Sequence, residues 1–276
     1  MRNLCMTVSF DGTNYYGFQS QPDGNTIQDY VEKAIHQLTG EQIKIIGSGR
    51  TDAGVHAYRQ MFNFHTESAI PIERWCLALN GRLPKDIVIL EAREVKPNFH
   101  ARHSAKRKTY RYTINANQFP DVFHRHLQLH HPGVLNVEAM KEAVTFLIGT
   151  HDYTSFASRH STKKSHVRTI YEAHIEVDAS KCRPGHARDQ GVIELFITGN
   201  GFLQHMVRII VGTLLQVGEG KRTPADMKRI LEAKDRSAAG PTAEGKGLML
   251  WNVEYDFLED QPEPPSFPVD DEDISE

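Results

Sequence analysis

The sequence predicts an α+β protein built around a largely antiparallel sheet. Three observations carry this. Apolar stretches of strand length follow one another in hairpin-like pairs instead of alternating strictly with helices. No GxGxxG opens a helix after a strand, and the P-loop pattern GxxxxGK[ST] is absent, so the usual marks of a parallel nucleotide-binding sheet are missing. Each half of the chain carries a strand, a glycine turn bearing a charged residue, and a helix, although no close repeat is visible.

Leu4–Phe10 reads as the first strand and ends at the turn signal Asp11-Gly12. An aromatic loop, Tyr15-Tyr16-Gly17-Phe18-Gln19, follows. Ile27, Val31, Ala34, Ile35 and Leu38 then recur on one helical face, with Asn25 and Gln28 as a capping-box variant and Gly40 as the stop. Residues 43–46 form a short strand, and residues 60–65 resume an extended pattern. Pro71 opens a second helix through Leu79. Residues 87–94 are a strand, 99–104 a connector, and 108–115 alternate with period two. Val137, Met140, Ala143, Val144 and Leu147 mark a helix that stops at Gly149. Strands over 169–177 and 192–198 precede a long apolar helix, 202–217. Thr223 caps another helix, with Pro224 at its first position, and 247–255 supply the last strand. The predicted boundaries are 1–104 for an N-terminal half, 105–258 for a C-terminal half, and 259–276 for an acidic tail.

The net charge of −3 conceals an asymmetry. Residues 259–276 hold eight acids, four prolines and no Lys or Arg. The body keeps 32 basic residues against 27 acidic ones, which leaves it near +5. So acidic a tail is predicted to stay solvated, because it cannot bury enough apolar surface to offset its ordering entropy. Three widely spaced cysteines, Cys5, Cys76 and Cys182, argue against a disulfide framework and predict a reducing, cytoplasmic setting. No apolar run approaches the length of a membrane span, and no signal peptide is evident. Fifteen histidines invite a metal reading, yet no HExxH and no Cys/His set with zinc-finger spacing occurs, so no metal is assigned.

Residues 47–57, Gly-Ser-Gly-Arg-Thr-Asp-Ala-Gly-Val-His-Ala, are the most informative stretch. Gly47, Gly49 and Gly54 permit backbone angles and close approaches that side chains block. Asp52 within them is either a reactive carboxylate or one half of a local ion pair in a surface turn with Arg50. Arg208 stands among Met206, Val207, Ile209 and Ile210. It either meets a carboxylate inside the fold or snorkels from the helix's wet face. Tyr110 and Tyr112 share a strand face, as a stacking platform for a nucleobase or as ordinary sheet packing. Basic residues cluster at Arg102, Lys106, Arg107, Lys108 and Arg111, and again at Arg159, Lys163, Lys164 and Arg168. Interleaved with Phe99, Tyr110, Tyr112, Tyr153 and Phe156, such rows suit a phosphate backbone or a solvated charged face.

At these residues the chain resembles the TruA family of tRNA pseudouridine synthases. The signature GRTDAGVHA stands unbroken at 49–57. Supporting segments lie in order at 10–19, 98–102, 108–112, 152–156, 201–208, 233–236 and 247–250, so the likeness covers about residues 3–256. The resemblance implies that Asp52 is the catalytic nucleophile, that Tyr110 stacks on the target uracil, and that Arg208 pairs with Asp52. It implies that Arg50 orders the loop and contacts RNA, and that Leu248 packs near the base. The fold it implies has two related halves around a shared sheet with a central cleft. The partners it implies are tRNA, at anticodon stem-loop positions 38–40, and a second copy in a homodimer, with no cofactor. Phe18 replaces the family's usual tryptophan, Ser20 a basic residue, and Tyr58-Arg59-Gln60-Met61 smaller residues; the segment 158–168 is unusually basic. These departures bear on which uridines are modified.

Overall fold

The computed structural model describes residues 1–257. Elements run β1 (Arg2–Phe10), α1 (Ile27–Thr39), β2 (Ile46–Gly47), β3 (His56–Thr66), α2 (Trp75–Asn80), β4 (Ile87–Val95), β5 (Arg107–Asn115), β6 (Leu129–His130) and α3 (Val137–Thr145). They continue β7 (Gly149–Asp152), β8 (Val167–Asp178), β9 (Val192–Gly199), α4 (Met206–Gly218), α5 (Pro224–Ala233) and β10 (Leu248–Glu254). One sheet links them in the order β4-β1-β3-β10-β5-β9-β8-β7, with β2 beside β3 and β6 beside β5. The ladders are antiparallel except β3–β10 and β5–β6, so the mixed, mostly antiparallel α+β class expected from sequence is what forms.

Two large apolar cores share one face of that sheet, and a smaller cluster of Cys5, Met61, Val95, Phe99 and Ala101 is a third. One gathers Leu4, Phe10, Phe18, Val31, Phe62 and Trp75 with Leu250 and Val253. The other gathers Tyr112, Met140, Phe156, Ile197, Val207 and Ile210 with Val55 and Leu248. Each core thus borrows residues from the far end of the chain. β10 is the connector, because its Met249 and Leu250 pair with His56 and Ala57 on one side while Leu248 and Leu250 pair with Tyr112 and Tyr110 on the other.

Several local expectations shift. Helix α1 is capped by Thr26, not Asn25: the Thr26 hydroxyl takes the Asp29 N–H while Asp29 takes the Thr26 N–H. Asn25 sits one residue earlier at φ +58 and spends its side chain on the Asn14 carbonyl. The strand expected at 43–46 shrinks to Ile46–Gly47, because the Ile45 N–H is taken by the Glu32 carboxylate instead of a neighbouring strand. The helix opened by Pro71 begins as a 3-10 turn, Ile72–Arg74, before α2. Helix α3 ends at Thr145, and Gly149, at φ +117, begins β7 instead of stopping the helix. Helix α4 starts at Met206, not Phe202, because Phe202 packs edge-on against Tyr110 and His205 turns left-handed. The acidic tail, 259–276, lies outside the described residues.

Candidate active site

The signature segment is a loop between β2 and β3, and several of its backbone groups are tied down. Ser48 N–H donates to Met61 O at 2.7 Å, Phe18 N–H to Thr51 O at 3.3 Å, Gly54 N–H to Tyr15 O at 3.2 Å, and Val55 N–H to Asp52 O at 3.2 Å. Side chains add a second set of ties. Gln60, fully buried on β3, donates to Gly49 O at 2.9 Å and accepts from the Ser48 hydroxyl at 2.9 Å. Lys108, on β5, donates its Nζ to Ser48 O at 2.6 Å. So many anchors hold the loop in one shape, which is what a reactive side chain on a loop requires.

The glycines divide. Gly54 adopts φ +72, a conformation that L side chains rarely take, and a Cβ on Gly47 would stand 2.4 Å from the Phe18 ring. Gly49 meets no such limit, since a Cβ there would meet Lys108 at an ordinary 3.6 Å.

Asp52 is paired with Arg208, not with Arg50. Arg208 Nη1 donates to Asp52 Oδ2 at 2.9 Å across 156 residues of chain. The same guanidinium donates its Nε to Ala243 O at 2.8 Å, while Ala243 N–H returns a bond to Arg208 O at 3.0 Å. Arg208 is therefore the inward-facing, carboxylate-paired alternative; its side chain is 18% exposed and that of Asp52 26%. Helix α4 can approach this closely because Gly212 lies under the 239–243 segment, where a Cβ would fall 1.8 Å from Pro241 O. Arg50 is exposed and makes no ion pair among the described residues.

Tyr110 stands beside the pair. Its ring packs edge-to-face on Phe202, with centroids 5.0 Å apart. Burial, and then the Asp52 carboxylate, push its phenol above the ordinary tyrosine range, which keeps it neutral at physiological pH. Tyr112 separates from it: the ring is fully buried and the hydroxyl donates to Glu244 O at 2.8 Å, so Tyr112 is packing. Burial raises its phenol as well, against an opposing pull from Arg208. Leu248 is 6% exposed, opposite Tyr112 in the ladder, and joins Val55 and Val207 in the core. It supports the floor of the site and offers little free surface.

The basic residues fall into two sorts. Arg102, Lys106, Arg107, Lys163 and Lys164 are exposed. Arg107 lies over the Tyr171 ring at 4.8 Å. Lys108 is turned inward beneath the loop, and desolvation, helped by nearby Arg102, lowers its ammonium to about 8. Arg168 is half-buried and donates to its own loop at Ser165 O and Val167 O.

Two histidines at the loop escaped the sequence reading. His56 is buried; Gly12 N–H donates to its Nδ1 at 3.0 Å, and its Nε2 faces the carbonyls of His126 at 2.9 Å and Lys246 at 3.2 Å. It clamps three loops around the start of β3. His205 Nε2 stands 3.6 Å from Asp52 Oδ2. Among the described residues no group of three or more His, Cys, Asp or Glu side chains could hold a metal ion, and no helix is long and apolar enough to cross a membrane.

A family model described as tRNA pseudouridine synthase matches residues 6–104 and 143–256. Curated relatives named tRNA pseudouridine synthase A align over nearly the whole chain. The Bacillus subtilis protein is 48% identical over 258 residues, covering 93% of this chain and 100% of its own length. The Anoxybacillus flavithermus protein is 46% identical over 257 residues with the same coverage, and the Acetivibrio thermocellus protein is 45% identical over 255 residues, covering 92% and 100%.

Proposed function

Since the chain belongs to the tRNA pseudouridine synthase family, we propose that it isomerises uridine to pseudouridine in tRNA, with Asp52 as nucleophile. The observation that carries this is the Asp52–Arg208 contact beside the Tyr110 ring. The reaction breaks the N1–C1′ bond of uridine, turns the base, and forms a C5–C1′ bond; C5 loses a proton and N1 gains one, with no net redox change. A base inside a stem is out of reach, so the target nucleotide must leave its stack. Tyr110 offers a flat, neutral ring for the extruded uracil. Asp52 offers Oδ1, since Oδ2 is held by Arg208.

The reading extends to the anticodon stem-loop at positions 38–40, to a cytoplasmic homodimer without a cofactor, and to two related halves, 1–104 and 105–258, that meet at a cleft. The exposed Arg102, Lys106, Arg107, Lys163 and Lys164 are suited to phosphate contacts, with Arg50 at the mouth of the loop. The test is tritium release from tRNA transcript labelled at uracil C5. Asp52→Asn is expected to abolish release while leaving tRNA affinity within about threefold, since amide and carboxylate have the same shape. Equal activity in Asp52→Asn and wild type would show an RNA-binding protein in which this carboxylate plays no chemical part.

A further inference from the structure

We infer that His205 is a positioning residue that fixes which oxygen of Asp52 is reactive. The inference rests on the proposed role of Asp52. Helix α4 begins at Met206, so His205 is its left-handed N-cap residue and Arg208 stands on its first turn. Both aim at the same atom: Arg208 Nη1 lies 2.9 Å and His205 Nε2 3.6 Å from Asp52 Oδ2. No hydrogen bond reaches Oδ1 among the described residues. The carboxylate is thus approached by two cationic or donor groups on one oxygen and left open on the other. The 3.6 Å separation is just beyond hydrogen-bond length, as in many sites that tighten only when substrate arrives.

The backbone at His205 is a second, independent observation. It holds φ +61 and ψ +5, the left-handed region that costs an L residue and that glycine or asparagine takes more readily. This geometry is enforced from both sides. Leu203 O accepts from Met206 N–H at 3.1 Å, Gln204 O from Ser158 N–H at 3.1 Å, and His205 O from Ile209 N–H at 2.9 Å. The turn by itself suits glycine best. A histidine there, with its imidazole brought to Asp52 and its side chain only 32% exposed, places a strained residue at a chemical site and not at a random corner. Without the imidazole, Asp52 keeps Arg208 as a single tether and can rotate about it, and misalignment of this kind is costly in rate.

The experiment uses His205→Gly and His205→Asn, both of which accept the left-handed backbone, so both fold as the wild type does by thermal melting. Single-turnover tritium release gives the rate constant at saturating enzyme, and filter binding gives Kd for tRNA. His205→Gly is expected to lose about 10- to 100-fold in that rate constant, with Kd within about threefold. Added imidazole is expected to restore part of the loss, and asparagine, with its donor amide, to lose less than glycine. A His205→Gly rate within twofold of wild type overturns the inference. So does a defect confined to Kd, or a loss that neither imidazole nor asparagine relieves. Asp52→Asn run alongside separates the two levels: if it remains active, the reading of Asp52 fails, whereas if it is inactive and His205→Gly is fully active, only the role of His205 fails.

Discussion

Replacing Arg208 by lysine keeps the charge and removes the fork. In the wild type one guanidinium bonds Asp52 Oδ2 at 2.9 Å and Ala243 O at 2.8 Å at the same time. A lysine ammonium is a single point of charge on a flexible stem and cannot reproduce that two-pronged, planar reach. The bond to Asp52 is charge-assisted, which places it at about 1.5–3 kcal/mol where the pair is well shielded. With side-chain exposures of 18% and 26%, the pair is shielded for the most part but not fully, so the lower half of that range applies, about 1.5–2 kcal/mol. If the contact is fully expressed in the transition state, that is about a 10- to 30-fold fall in the single-turnover rate constant for Arg208→Lys. For Arg208→Met, which leaves the carboxylate with no guanidinium, the fall is larger, about 100-fold or more. Affinity for tRNA should stay within about threefold, because the Arg208 guanidinium is spent on Asp52 and Ala243 O and its side chain is only 18% exposed. Tritium release at saturating enzyme, with Kd measured in parallel, tests this. Wild-type rates in both variants, in protein that melts normally, would refute the idea that this guanidinium orients the reacting carboxylate.

Two other outcomes follow from the geometry. The Lys108 ammonium sits at about 8 instead of 10.5, chiefly through desolvation. Its charged hold on Ser48 O is therefore present below about pH 8 and weakens as pH rises through it. The single-turnover rate constant should fall between about pH 7 and pH 9 as the loop bearing Asp52 loses this anchor, and Lys108→Met should show the lower rate at every pH. For stability the sign is reversed, since burying the ammonium is a cost borne below pH 8 that fades as pH climbs toward 10.5, so thermal melting should not show a matching decline. Gly212→Ala should lower stability by about 1–3 kcal/mol through overpacking, because the added methyl meets Pro241 O at 1.8 Å. It should also slow catalysis by shifting the helix that carries Arg208; calorimetry and the tritium assay read the two effects.

Much of the architecture could be read from residues alone because its cause is local. The period-two run at 108–115 became β5, and Thr223-Pro224 opened α5 behind a capping box. The errors came where a distant group settled a local question. Thr26 displaced Asn25 as the cap because it could trade bonds with Asp29, whereas Asn25 found Asn14. The strand at 43–46 failed because Glu32 had claimed its amide. At the site, the residues alone left Asp52, Tyr110 and Arg208 open between chemistry and packing, and only the resemblance singled them out; for Arg208 the structure has the carboxylate contact with Asp52 instead of a snorkelling side chain. Lys108 was not legible, since its place in a row of cations resembles an exposed face, and only the register of β5 turns it inward under Ser48. His205 was hidden for a similar reason: nothing in one sequence announces a left-handed turn just before a helix.

The strand order has a bearing on how the enzyme comes into being. The loop bearing Asp52 leads into β3, whose edge is completed by β10, the last of the described strands, and whose counter-charge arrives on α4. A growing chain has β1, α1 and β3 early, yet the Asp52–Arg208 pair and the β3–β10 ladder wait for residues 208 and 250. Pairings this remote along the chain close slowly. A polypeptide truncated before β10 is therefore expected to release no tritium from labelled tRNA, although it carries Asp52 and Arg208.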